Sequence, residues 1–175
     1  MKSGAEPSST LTPLQAATAD KQSGNMRVRG ETLQAIQLPV AEKLGRVSHA
    51  MGSIVASELP LVGQVSSHLL AMRGKMFRPT LLLLSSEVAG EPREEAVTLA
   101  ATLELIHLAT LVHDDAVDHS ALRRGMPTVN ALFSHQISVI MGDFLYSTAL
   151  THLVALGNLE ALQTLFLWSE FYFPF

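Results

Sequence analysis

The chain has 175 residues, 47% hydrophobic and 16% charged, which is enough apolar material for one domain with a sizeable core. Its net charge of −4 excludes a general attraction to nucleic acid or anionic membrane, so any anion site must come from a few local basic residues. Cysteine is absent, which removes disulfides, thiolate catalysis and Cys-based zinc sites and fits a cytoplasmic setting.

Residues 1–30 are polar and lack the apolar core of a secretory signal, so they are expected to form a disordered leader ahead of a partial all-α domain over 31–163. From Leu33 to Leu61 the residues Leu33, Ile36, Val40, Leu44, Val47, Met51, Ile54 and Val55 recur at three- and four-residue steps. That spacing predicts a helix, with Pro39 as start or kink and Pro60 as stop. A second, buried helix is expected from Arg78 or Pro79 to about Ala89, closed by Gly90.

The third helix is predicted to begin near Pro92, with Glu91, Glu94 and Glu95 favoured by the dipole in its first turn, and to continue through Leu111. A loop with Gly125 and Pro127 follows, then a fourth helix from about Val129 to Leu156, ending at Gly157 and Asn158. No β alternation or repeat is present, so the expected fold class is all-α. No stretch of about twenty residues is free of charge and polar breaks, so no membrane-spanning helix is expected. Phe166, Trp168, Phe171, Tyr172, Phe173 and Phe175 crowd the end of the chain. That change in composition marks 164–175 as an atypical aromatic tail, expected to be a frameshifted or read-through end.

The chemistry is concentrated between His107 and Gly125. At about 100° per residue, Asp114 and Asp118 return to within about 20° of His107, so the three share one helix face. Asp115 points about 100° away from Asp114, so it either supports its neighbours or binds solvent. Two carboxylates four residues apart repel each other unless a cation compensates, and an all-oxygen pair suits Mg²⁺ shared with substrate phosphates. A solvated acidic helix end is the plainer reading, but the apolar run LELIHLATLV leading into the cluster argues against it.

Arg123 and Arg124 follow in a polar loop, placed for bidentate capture of phosphate or for an ion pair with Asp118 or Glu104. Upstream, Arg73-Gly74-Lys75-Met76-Phe77-Arg78-Pro79 offers a glycine, two cations three residues apart and a helix N-terminus. Together these suit a second phosphate.

These motifs resemble the trans-type isoprenyl diphosphate synthases, or polyprenyl synthetases. Asp114-Asp115-Ala116-Val117-Asp118 is similar to their first aspartate-rich motif, DDxxD, and Arg123-Arg124-Gly125 follows at the family's spacing. Residues 73–79 resemble GGKRxRP, Glu104 to Asp115 resembles ELIHxxxLxHDD, and Pro127-Thr128-Val129 and Gly142-Asp143-Phe144-Leu145 follow in order.

The resemblance implies the N-terminal part of the isoprenoid synthase helical bundle and the activity of a prenyltransferase. It also implies that Asp114 and Asp118 hold Mg²⁺ on an allylic diphosphate, with Arg123 on the same group, and that Lys75, Arg78, His107 and Arg124 bind isopentenyl diphosphate. Thr110 and Ala109, small residues four and five positions before Asp114, imply a medium- or long-chain polyprenyl product. Met141 and Leu145 are expected to be core rather than tunnel. Members of the family are dimers, so a homodimer or heterodimer through helices is implied.

Two departures stand out. One glycine and one basic residue of GGKR are replaced, and the second aspartate-rich motif is absent. The expectation is therefore a truncated synthase, inactive by itself. The alternatives are a non-catalytic partner subunit of a heteromeric synthase and, less well matched by the paired basic segments, a terpene cyclase.

Overall fold

The computed structural model describes residues 32–72, 74–90 and 94–172, with side chains as far as Leu167. The expected leader over 1–30, Arg73, the expected helix start at Glu91 and Pro92, and Phe173 to Phe175 lie outside the described residues. The chain divides into two units after Pro39. Of the first unit, residues 32–37 are helical.

The second unit is all-α, as expected, apart from one small ladder. Its elements are α1 (Ala41–Ile54), α2 (Pro60–Ala71), α3 (Phe77–Val88), α4 (Glu95–Val117), β1 (Leu122–Arg123), β2 (Met126–Pro127), α5 (Val129–Leu132), α6 (His135–Ala155) and α7 (Leu159–Tyr172).

Two boundaries differ from the sequence expectation. The single helix expected from Leu33 to Leu61 is interrupted: α1 ends at Ile54, and Pro60 opens α2 instead of closing its predecessor. Leu59 is extended, with φ −76° and ψ 117°, as the residue before a proline prefers. Pro60 loses nothing at the first helical position, where an N–H has no intrahelical partner. The expected fourth helix is also split, because Phe133 leaves the helical region (φ −119°, ψ −87°). The Ser134 hydroxyl then accepts from the Ile137 N–H at 3.2 Å and caps α6. Gly157, at φ +68°, follows the end of α6 as anticipated. α7 crosses the boundary expected at 163/164 without a break.

α4 is the centre of the bundle and packs against α1, α3 and α6. Its Ala100, Ala101, Ala109 and Ala116, with Ala149 of α6, are buried, and side chains this small allow close helix approach. Val47 and Met51 from α1, Leu83 from α3, Leu105 from α4, and Met141, Leu145 and Leu153 from α6 fill the remaining space. Each fully buried leucine contributes about 2 kcal/mol relative to exposure. Ser138, near the start of α6, donates its hydroxyl to the Val112 carbonyl, near the end of α4, at 3.4 Å. The two longest helices are therefore tied together where α4 ends and α6 begins. Lys43–Glu87 and Arg46–Glu94 ion pairs link α1 to α3 and to the residue preceding α4.

No membrane-spanning helix is expected from the sequence, and two helices bear on that expectation. α4 and α6 are both long and apolar enough to cross a membrane by length and composition. In the bundle, 56% of the apolar window of α4 is buried inside the protein, so its hydrophobicity is used at the centre of a helical core.

Candidate functional site

The end of α4 carries three aspartates, Asp118 being its C-cap, with two different environments. Asp114 and Asp118 are exposed, whereas Asp115 is buried. Its Oδ2 accepts from Arg123 Nε at 2.8 Å. Of the two roles open to Asp115, the structure gives it support of the loop arginine. Negative charge at a helix C-terminus opposes the helix dipole, and Arg123 compensates for it. The Asp115 hydrogen bond pushes the Arg123 guanidinium above its usual range, partly opposed by burial, and Asp114 and Asp118 add to the rise.

Arg123 is held by a hairpin that the sequence did not announce. Leu122 pairs with Pro127 and Arg123 with Met126, leaving Arg124 and Gly125 as a two-residue loop. Their φ values are +54° and +78°, both positive, as a type I′ turn requires. Gly125 takes that conformation freely, but a non-glycine residue such as Arg124 is strained there by about 1 kcal/mol. Thr128 closes the base: its N–H donates to Ala121 O at 3.0 Å and its hydroxyl to Ser120 O at 2.6 Å. His68 of α2 donates from Nε2 to Pro127 O at 2.8 Å, which ties the hairpin to the bundle.

Arg124 reaches back to the segment before α3, and its Nη1 donates to Met72 O at 3.1 Å. The guanidinium lies so close to Gly74 that a Cβ there would sit 2.4 Å from Nη1. Gly74→Ala should therefore push the arginine aside with little effect on the fold. Affinity for inorganic pyrophosphate is expected to fall about tenfold, the equivalent of one charge-assisted hydrogen bond, with an unchanged melting temperature. A large loss of melting temperature would show that Gly74 is there for the backbone instead.

Lys75, Arg78, Glu104, His107 and Arg124 line one cavity of about 620 Å³, with Gly74, Met76 and Phe77. The four residues that the resemblance assigns to isopentenyl diphosphate thus line one cavity. Burial lowers the His107 pKa from 6.5 to about 4, and Arg78, Arg124 and Arg123 add to the depression. The same burial raises the Glu104 carboxyl, while Arg78 and Arg124 pull it down. His107 is therefore neutral near pH 7, and the cavity favours an anion.

A histidine with a lowered folded pKa is protonated first in the unfolded chain, so His107 costs stability as the pH falls from about 6.5 to 4 and nothing above that range. Because the ring is partly exposed, we expect a loss of about 1–2 kcal/mol rather than the full value of the shift. Thermal melts across this window should steepen in the native protein and flatten in His107→Gln. Equal slopes would assign the effect to another group.

A third cluster at the α4–α6 contact was not identified from sequence, although its Gly142-Asp143 pair was visible in a quoted motif. His113 Nε2 lies 3.2 Å from Asp143 Oδ1, and the ring rests against Gly142, where a Cβ would come within 2.3 Å of Nε2. Among the described residues, no three His, Asp or Glu side chains are grouped to hold a metal. Asp114 and Asp118 are a pair on one helix.

The chain belongs to the polyprenyl synthetase family, whose model matches residues 59–168. It is 42% identical over 131 residues to the all-trans-nonaprenyl-diphosphate synthase (geranyl-diphosphate specific) of Rhodobacter capsulatus, covering 74% of this chain and 40% of that protein. The crystal structure of a decaprenyl diphosphate synthase from the same organism superposes with a TM-score of 0.72 at 36% identity, over 75% of this chain and 41% of that one. A polyprenyl synthase from Caulobacter crescentus CB15, crystallised with calcium and isoprenyl diphosphate, gives a TM-score of 0.72 at 31% identity, over 76% and 40%. The fold is therefore the isoprenyl synthase helical bundle. The chain spans about 40% of the length of these relatives.

Proposed function

We propose that this chain supplies the diphosphate-gripping helices of a polyprenyl diphosphate synthase, a prenyltransferase that joins isopentenyl diphosphate head-to-tail to an allylic diphosphate. The observation that carries this reading is the convergence of Lys75, Arg78, His107 and Arg124 on one cavity, joined through the Arg123–Arg124 hairpin to the exposed Asp114 and Asp118.

The donor chemistry of that exposed pair fits Mg²⁺. Two carboxylates from one helix leave most of the coordination sphere to water and phosphate oxygens, the arrangement this ion favours. Asp114 and Asp118 would hold it, and when bound it offsets the charge that grows on the departing pyrophosphate. The relative crystallised with calcium and isoprenyl diphosphate supports a divalent cation here.

Arg123, fixed through Nε by Asp115, directs its remaining nitrogens to the allylic diphosphate. Lys75, Arg78, His107 and Arg124 orient isopentenyl diphosphate so that its double bond meets the allylic carbon as the carbon–oxygen bond breaks. A new carbon–carbon bond forms and a proton is lost, with no side-chain nucleophile required. Ala109, buried, and Thr110, whose hydroxyl turns back to His107 O at 2.7 Å, leave the approach to Asp114 unblocked. That supports a medium or long product, as the nonaprenyl and decaprenyl names of two relatives do. Exposed Val139, Ile140 and Val154 on α6 support pairing with a second synthase chain.

Equilibrium dialysis with radiolabelled ligands tests the assignment. An allylic diphosphate is expected to bind only with Mg²⁺ and isopentenyl diphosphate with or without it. Failure of both to bind, or an equal metal requirement for both, would defeat the reading.

A further inference from the structure

Glu104 lines the same cavity as four basic or potentially basic side chains, yet the reading above gives it no part. It is buried, at 8% exposure, and among the described residues its Oε2 has no hydrogen-bond partner. Arg78 and Arg124 act on it through space and not through a hydrogen bond. A buried carboxylate oxygen without a protein donor is a costly arrangement to keep, and a negative charge lining an anion site repels what the site is built to hold.

We propose that Glu104 is a proton-coupled ligand-binding residue, taking up one proton from solvent as a diphosphate enters and donating the resulting O–H to a phosphate oxygen. The carboxylate plus a solvent proton gives the carboxyl, so no other reactant is needed. This rests on the reading of the cavity as a diphosphate site.

Before a ligand enters, burial and the surrounding charges act on Glu104 in opposite directions. Burial already favours the neutral acid, and what opposes it is the charge on Arg78 from α3 and on Arg124 from the hairpin. Lys75, from the segment before α3, adds a further positive charge to the same wall, while His107, one turn along α4, is neutral near pH 7. An incoming diphosphate neutralises the two guanidinium groups and brings negative charge of its own. Both changes raise the affinity of Glu104 for a proton. The protonated group then turns the one repelling acceptor in the wall into a donor, and the orphaned oxygen gains a partner.

The test is calorimetric titration of the 175-residue protein with inorganic pyrophosphate, without metal, near pH 7 in buffers of different ionisation enthalpy. The dependence on buffer reports protons taken up per ligand. The native protein is expected to take up more than Glu104→Gln, by up to one proton. Equal uptake in native protein and Glu104→Gln, with binding intact in both, would overturn the proposal and leave the diphosphate reading standing. Failure of the unaltered protein to bind pyrophosphate would overturn both. Should Glu104→Gln fold poorly, the infrared difference spectrum of the native protein decides. A protonated-carboxyl band must appear on adding pyrophosphate, and its absence would sink the idea.

Discussion

Replacing Asp114 and Asp118 together by alanine is expected to abolish Mg²⁺-dependent binding of an allylic diphosphate, by about a hundredfold or more, while leaving metal-free binding of isopentenyl diphosphate within a few-fold. The asymmetry follows from geometry. Both carboxylates are exposed at the end of α4, and neither lines the cavity that holds Lys75, Arg78, His107 and Arg124. Removing the only paired oxygen donors there removes the ion, and with it several kcal/mol of charge compensation. The fold should tolerate the change, because exposed substitutions usually shift stability by no more than about 0.5 kcal/mol and like charges four residues apart repel each other on a helix. Dialysis and thermal melts on the same variant check both halves. Loss of both ligands with an intact melt would mean that the two phosphates share one site.

Asp115, between them in sequence, should behave in the opposite way. Its carboxylate is 4% exposed, and Arg123 Nε donates to it at 2.8 Å. Asp115→Ala leaves the partly exposed arginine without its anchor, so we expect a loss of about 2 kcal/mol, near 5 °C in melting temperature. Asp115→Asn keeps an acceptor for Nε–H and should cost roughly half as much. Differential scanning calorimetry of the two variants distinguishes the cases. A melting temperature unchanged by alanine would mean that the Arg123 contact is incidental.

Neighbouring positions with the same residue type thus differ in surroundings, Asp114 and Asp118 exposed and Asp115 buried against Arg123, and the sequence revealed this only in part. Helical periodicity placed Asp114 and Asp118 on one face and set Asp115 apart, because position along a helix is a local property. What Asp115 meets depends on where the chain returns eight residues later, which no local rule supplies. The same limit explains the other surprises. Pro60 is equally legitimate after a helix or at the first position of the next, and only the packing of α2 decides. The break at Phe133 was hidden by continuous apolar periodicity, although Ser134 three residues before Ile137 is a readable cap. A ladder of two residues on each side is too short to show alternation, and the arginine in its turn is not the asparagine that would have announced it.

The cavity was legible as a list of cations and illegible as a place. Lys75, Arg78, His107 and Arg124 were named by the family resemblance, and the fold brings them together. Glu104 was visible in the same motif as His107, but its isolation is a property of burial. Gly74 was visible only as a glycine beside two cations, and the group that packs against it is the guanidinium of Arg124.

The left-handed backbone at Arg124 sets two selective pressures against each other at one codon. Breeding the protein for heat resistance alone should drift that position toward asparagine or glycine, which accept the turn more easily. On the phosphate-holding role proposed for Arg124, breeding it for ligand capture should restore arginine instead.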